Sequence, residues 1–141
     1  ASMLTKIEVR PDSTTEKFSE CKIHPDIIKM LKHLKSTHAK IVVITDGGNG
    51  AYAYDGKMFY QCGEFPAKVV STLGAGDAFA STFVSVLHKS NWDIEKSLKY
   101  AAINAASVVG KFNAQDGQLS MEEIERRANN APDFQVCKMA D

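Results

Sequence analysis

The chain has 141 residues, 44% hydrophobic and 24% charged, with 17 basic side chains against 17 acidic ones. That is about one domain of ordinary globular composition. The balance argues against a nucleic-acid binder, which needs a dense basic patch with aromatics between the charges. No apolar run approaches the roughly 18 residues of a membrane span.

The chain opens with Ala1-Ser2-Met3, which reads as an expression scar with the native start at or after Met3. No charged stretch followed by an apolar one opens it as a secretion signal would. A cytoplasmic protein is expected. Cys21, Cys62 and Cys137 are odd in number and far apart, and none has a partner at metal-ligand spacing. They are expected as thiols. Four His, at 24, 33, 38 and 88, stand apart from acids and Cys and read as surface residues.

In chain order, residues 1–24 read as an irregular segment, with Asp12-Ser13-Thr14-Thr15 in its middle. Pro25 suits a first helical turn. Ile27, Ile28, Leu31 and Leu34 then recur at helical spacing, predicting a helix over 25–37. The Lys and His residues at 29, 32, 33, 35, 38 and 40 fall on its solvated face. Lys40 to Thr45 is a β-branched run apolar on both faces, as for a strand inside a mostly parallel sheet. Asp46-Gly47-Gly48-Asn49-Gly50 turns out of it. Residues 51–54 and 57–60 flank Asp55-Gly56 as a β-hairpin, and Lys68-Val69-Val70 predicts another short strand.

From Ala75 the pattern is helical, with Ala78, Phe79, Thr82, Phe83, Val86 and Leu87 on one stripe. Asn91-Trp92-Asp93 breaks it. Asp93 is an N-cap for a helix running to about Lys111, with Ile94, Leu98, Ala101, Ala105, Val108 and Phe112 aligned. Residues 113–117 read as a loop. Ser120-Met121-Glu122-Glu123 is a capping box opening a last helix that ends near Asn129-Asn130. The tail, 132–141, reads as frayed. Together these predict an α/β fold.

The chemistry gathers at the stretch Ser71-Thr72-Leu73-Gly74-Ala75-Gly76-Asp77. A helix start offers unpaired N–H groups and the positive end of the helix dipole. With no Cβ at Gly74 and Gly76 and a methyl at Ala75, a phosphate can approach those amides. Asp77 in the first turn is either a favourable dipole residue or a base beside a bound phosphate. The pattern is neither a P-loop nor a dinucleotide fingerprint, since no Gly-Lys-Ser/Thr follows and Gly76 leads into Asp-Ala-Phe.

These blocks together resemble the ribokinase-like (PfkB) family of carbohydrate kinases. Ser71 to Phe79 matches its Asp-Thr-x-Gly-Ala-Gly-Asp signature at all but the first position, and Thr45-Asp46-Gly47-Gly48-Asn49-Gly50 matches its Thr-x-Gly-x-x-Gly. The resemblance covers residues 25–128 and concerns the C-terminal half of the family's three-layer α/β/α fold. It assigns 25–131 to the ATP-binding half. It implies ATP-dependent phosphorylation of a sugar or nucleoside-like alcohol, with magnesium accompanying ATP. By resemblance Asp77 is the catalytic base, and Gly74, Ala75 and Gly76 are an anion hole. Thr45, Gly47, Gly50, Thr72, Asn104 and Asn113 fall on the ATP side.

Three departures qualify the match. Ser71 replaces an acid that helps hold a monovalent cation, which leaves only the Leu73 carbonyl for potassium. Asn113 replaces a Gly, and is expected to keep its left-handed backbone. Ala102 stands where members carry an Asn or His near the adenine, so Asn104 is a displaced candidate. A smaller likeness, through Ser71 and Ala78-Phe79-Ala80-Ser81, is to the inositol-catabolic 5-dehydro-2-deoxygluconokinases of that family.

Family members run about twice as long, and the Asn-x-x-Glu motif that organises magnesium is not found in residues 1–24. Glu8, Asp12, Glu16 and Glu20 lack its Asn. The expectation is therefore a kinase fragment inactive alone and self-associating through an exposed sheet edge. The alternative is a non-catalytic nucleotide-binding or interaction module. Neither reading involves nucleic acid or a membrane.

Overall fold

Pro25 at the first helical position and Asp26 in the first turn open helix α1, Pro25–Lys35. The His24 ring nitrogen Nδ1 accepts from the Asp26 N–H at 3.1 Å, capping an otherwise unpaired donor. Lys32, His33 and Lys35 lie in the last turn, where the helix dipole favours cations. Ile27 and Leu31 are fully buried.

The computed structural model describes residues 3–6 and 21–141. The predicted features at Asp12–Thr15, Glu8, Glu16 and Glu20, and the start at Ala1 and Ser2, lie outside them. Among the described residues no helix is long and apolar enough to cross a membrane.

One sheet runs in the order β1-β2-β3-β4-β5. Its strands are β1 (Met3–Lys6), β2 (Val42–Thr45), β3 (Ala51–Tyr54), β4 (Met58–Cys62) and β5 (Cys137–Ala140). The sequence predicts β2 inside a mostly parallel sheet. Instead β2 pairs in parallel with β1 and antiparallel with β3. The β3–β4 and β4–β5 pairs are also antiparallel. Short turns force this for β2–β3 and β3–β4, because a parallel partner needs a crossover of a dozen residues or more. Burial of β2 and β3 follows from central position, and all four residues of β3 are buried.

Two expectations for the ends are corrected. Residues 3–6 are a strand within the segment read as irregular. The tail read as frayed carries β5, whose Met139 packs against the core of Ile27, Leu31, Val42, Ile44, Tyr52 and Phe59. The cysteine expectation also fails in part. Cys21 and Cys137 form a disulfide, 116 residues apart in sequence with Cα atoms 5.5 Å apart. Cys62 is a buried thiol whose S–H donates to the Gly63 carbonyl at 3.4 Å.

The chain divides into two compact units, one made of residues up to Gly63 with Val136–Asp141, the other of Glu64–Gln135. The second holds helices α2 (Ala75–Lys89), α3 (Ile94–Val109), α4 (Ala114–Gly117) and α5 (Met121–Asn129). The predicted α2 stripe is buried residue for residue. Asp93 caps α3 by accepting from the Lys96 N–H at 3.0 Å. That helix stops at Val109, before Phe112, which is 88% exposed.

Residues 113–117, read as a loop, wind into α4. Asn113 caps it from extended backbone (φ −118°) rather than the expected left-handed one, with its Oδ1 accepting from the Gln115 N–H at 2.8 Å. At α5 half the capping box forms: Ser120 Oγ accepts from the Glu123 N–H at 3.2 Å. The other half does not, because Arg126 and Arg127 draw the Glu123 carboxylate away. Those hydrogen bonds, Arg126's first, lower its pKa to about 2.

Candidate functional site

In the second unit the approach to α2 is built by short-range turns. Ser71 Oγ accepts from the Leu73 N–H at 3.2 Å, and the Ala75 N–H donates to the Thr72 carbonyl at 3.3 Å. Gly74 then sits at the N-cap in left-handed conformation, φ 81° and ψ −2°. An L side chain there is strained, so glycine is the residue the turn requires. Gly74 carries no side chain to cap the helix, and its carbonyl takes the first helical hydrogen bond, from Ala78 at 2.9 Å. The Gly76 and Asp77 amides lie in the first turn, where an α-helix supplies no acceptor of its own. Asp77 is exposed in that turn. Donors and a carboxylate thus share one helix mouth, flanked by the exposed Thr72.

The predicted strand at 68–70 is absent. The Val70 and Ser71 amides both donate to the Val109 carbonyl at the end of α3, at 2.7 and 3.0 Å. This pins the approach to the glycine turn onto the helix packed beside it and satisfies a terminal carbonyl. The Ser71 hydroxyl oxygen, at the expected cation position, accepts from the Leu73 amide.

Asn104 lies at 3% exposure within α3. Its Nδ2 donates to Thr82 Oγ1 on α2 and to Gln118 Oε1, both at 2.9 Å. Its Oδ1 accepts from the Leu119 N–H at 2.9 Å. Both amide protons are therefore committed, and the side chain ties two helices to the chain leaving α4. Sequence reasoning missed Thr82 and Gln118 as its partners, since one reads as a stripe residue and the other as loop.

Thr45, Gly47 and Gly50 belong to the first unit. Thr45 ends β2, and Gly47–Asn49 form a single 3-10 turn. The Asp46 N–H donates to the Gly50 carbonyl at 2.8 Å, and the Asn49 N–H to the Asp46 carbonyl at 2.9 Å. The two glycines differ. Gly47 (φ 48°) faces open space, whereas a Cβ on Gly50 (φ 94°) would stand 2.0 Å from the Cys62 carbonyl oxygen. Asp46 is a buried acid in the turn, at 5% exposure, which its place between Thr45 and Gly47 did not reveal. Burial raises the pKa of the neighbouring Tyr52, the Asp46 charge raises it further, and a hydrogen bond from Gln61 opposes both.

Among the described residues no three His, Cys, Asp or Glu gather as a metal site. The described side chains offer no cluster of their own for magnesium, which would be held chiefly by the ATP phosphates.

A glycine-capped helix mouth bearing an acid, and a strand that ends in a glycine turn, meet the pattern of one protein class. The model for the pfkB family of carbohydrate kinases matches residues 13–121, and the chain belongs to that family. It is 40% identical over 98 residues to a 5-dehydro-2-deoxygluconokinase of Bacillus subtilis, covering 68% of this chain and 30% of that protein. The ribokinase of Thermotoga maritima superposes with a TM-score of 0.65 at 24% identity, over 72% of this chain and 34% of the other. An E. coli protein assigned as a ribokinase II, solved with ATP and Mg2+, gives 0.63 at 23%, over 79% and 35%. The fold is ribokinase-like. The chain spans less than a third of the length of the Bacillus relative.

Proposed function

We propose that this chain is the nucleotide-phosphate end of an ATP-dependent sugar kinase. The observation that carries the reading is the left-handed Gly74 cap, which aims first-turn amides and Asp77 out of one helix mouth. In the reaction an acceptor hydroxyl oxygen attacks the γ-phosphorus of ATP, ADP leaves, and Asp77 takes the hydroxyl proton. The amides of Gly74 and Gly76 stabilise charge on the transferred group, with Ala75, whose own N–H donates to the Thr72 carbonyl, completing the anion hole by its small side chain; this is what phosphoryl transfer asks of a protein: positioning and preorganised electrostatics. Thr72 flanks the phosphates from the same turn. By resemblance Thr45, Gly47 and Gly50, in the turn after β2, and Asn113, at the start of α4, are nucleotide-side residues, each described within its own unit. Asn104, with its protons committed, acts by holding that neighbourhood rather than by touching adenine. Magnesium enters with the ATP phosphates. A potassium effect through Ser71 and Leu73 is expected to be weak, since Ser71 supplies a neutral oxygen already hydrogen-bonded.

By kinship with the Bacillus protein the acceptor is a sugar acid of the 5-dehydro-2-deoxygluconate kind. Because the chain matches only part of that enzyme, it is expected to bind nucleotide with little turnover alone. It is also expected to self-associate through an uncovered sheet edge and to work in the cytoplasm. The second reading, a nucleotide-binding module without catalysis, rests on the same coverage.

Calorimetry of this chain with ATP and with ADP, each with and without magnesium, tests the site. Binding that weakens at least tenfold in Gly74→Val is expected. No heat at millimolar nucleotide overturns both readings. To separate them, Asp77→Ala is compared in a chain long enough to turn over. The kinase reading expects a loss of kcat of about a hundredfold or more with ATP affinity kept; unchanged kcat favours the module.

A further inference from the structure

We infer that Cys21–Cys137 is a thiol–disulfide exchange site that latches the edge strand β5 to the sheet. Its effect would be to cover or bare the outer edge of β4. The inference stands apart from the kinase reading.

The strand β5 has four residues, alternately half-buried and exposed. It pairs with β4 from Met58↔Ala140 to Gln61↔Cys137. A four-residue edge strand has few ladder bonds of its own and one unpaired edge, so tethers add to its hold on the sheet. One is Met139, partly buried on the core. A second is Asp141, whose N–H donates to the Lys57 carbonyl at 3.0 Å. Its carboxylate accepts from the Tyr54 hydroxyl at 2.6 Å and pairs with Lys32 at 3.0 Å. That ion pair is partly exposed and therefore weak. The third tether is covalent, and it grips the opposite end of the strand, at its first residue.

Both bridged cysteines are only half-buried, whereas Cys62 is fully buried. An attacking thiolate can thus reach the bridge and not the third thiol. In the exchange a dithiol's thiolate attacks one bridge sulfur, the S–S bond breaks, and the leaving cysteine takes up a proton. The second thiol then resolves the mixed disulfide. The dithiol is oxidised to a disulfide, and Cys21 and Cys137 gain two electrons and two protons. The freed strand leaves the amides and carbonyls along the outer edge of β4 unpaired, a surface that accepts another strand.

The test compares the oxidised chain with the dithiothreitol-reduced chain by native-state alkylation and hydrogen exchange with mass spectrometry. Before reduction neither Cys21 nor Cys137 should label; afterwards both should, with Cys62 still protected. Amides at 57–62 and 137–141 should exchange at least tenfold faster on reduction, and those of α3 should not change. Labelling of both cysteines without reductant, unchanged protection, or an equal rise throughout α3 would each overturn the latch. Tyr54→Phe gives a second, fold-sparing test: it should speed exchange of 137–141 several-fold in the reduced chain and little in the oxidised one. An equal effect in both states would show that the covalent tether is not what holds β5.

Discussion

Asn104, which the resemblance put on the ATP side, has both amide protons engaged within its own unit. Removing its amide leaves the Leu119 N–H, Thr82 and Gln118 without their partner. Each buried unsatisfied group costs about 1–3 kcal/mol. Asn104→Ala is expected to destabilise the second unit by about 2–4 kcal/mol, read as a lower urea midpoint. A change under about 0.5 kcal/mol would return the side chain to the list of nucleotide contacts. The two glycines after β2 separate in the same way. Gly47→Ala pays only for its left-handed backbone, about 1–2 kcal/mol. Gly50→Ala would also drive a methyl into the Cys62 backbone and should cost well over 3 kcal/mol. If Gly50 is kept for packing, an ATP titration of Gly47→Ala, which is expected to stay folded, is the cleaner probe of the turn's proposed nucleotide role.

At the scale of elements, α1, α2, α3 and α5 were legible because each carries an apolar stripe bounded by its own cap. The helix mouth at Gly74 was legible as a run of small residues before a helical stripe, though its left-handed N-cap was not foreseen. What escaped was information held between elements. Strands β1 and β5 are four residues each and acquire meaning only from a neighbour. Phe112 continued the α3 stripe in sequence, yet the helix had ended. The Cys21–Cys137 pair had no spacing signature, since only β5 docking brings the two together. Tyr54 and Asp141 likewise could not be paired from sequence, though together they fasten the end of β5. The hydrogen bond to Asp141 is the main reason the Tyr54 pKa rises from 10.0 to about 12. That same bond, with help from Lys32, lowers Asp141 from 3.8. A raised tyrosine contributes stability fully below pH 10 and loses it as pH climbs toward 12. A depressed aspartate contributes above its ordinary value and loses it as pH falls through its lowered one. Protection of residues 137–141 should therefore hold from about pH 4 to 10 and fall on both sides. In Asp141→Asn, tyrosine-resolved NMR should show the Tyr54 midpoint back toward 10. A midpoint unmoved by that substitution would assign the shift to burial instead.

For the molecule as a whole, the chain leaves the sheet-bearing unit at Gly63, builds the helical unit over Glu64–Gln135, and returns at Val136. The sheet-bearing unit is thus completed only by the last six residues. The disulfide closes a loop with a sequence separation of 116 that contains the whole helical unit. Cross-linking a loop of that length restricts the unfolded chain by roughly 5 kcal/mol in the chain-entropy model. The measured effect should fall short of that ceiling. Once reduced, the native state also gains freedom, because β5 keeps Met139, Asp141 and its ladder with β4 but loses its covalent tie. Cys137→Ser is expected to destabilise the sheet-bearing unit by about 2–4 kcal/mol, monitored by the amides of β2 and β3 in native-state hydrogen exchange. Amides of α2 and α3 report on a unit whose native contacts contain neither cysteine. Their local openings should keep wild-type rates, while any opening that unfolds the entire chain becomes easier. If α2 and α3 weaken as much as β2 and β3 under conditions where only local openings occur, the two units unfold as one cooperative body. If neither responds, the disulfide contributes nothing beyond holding β5.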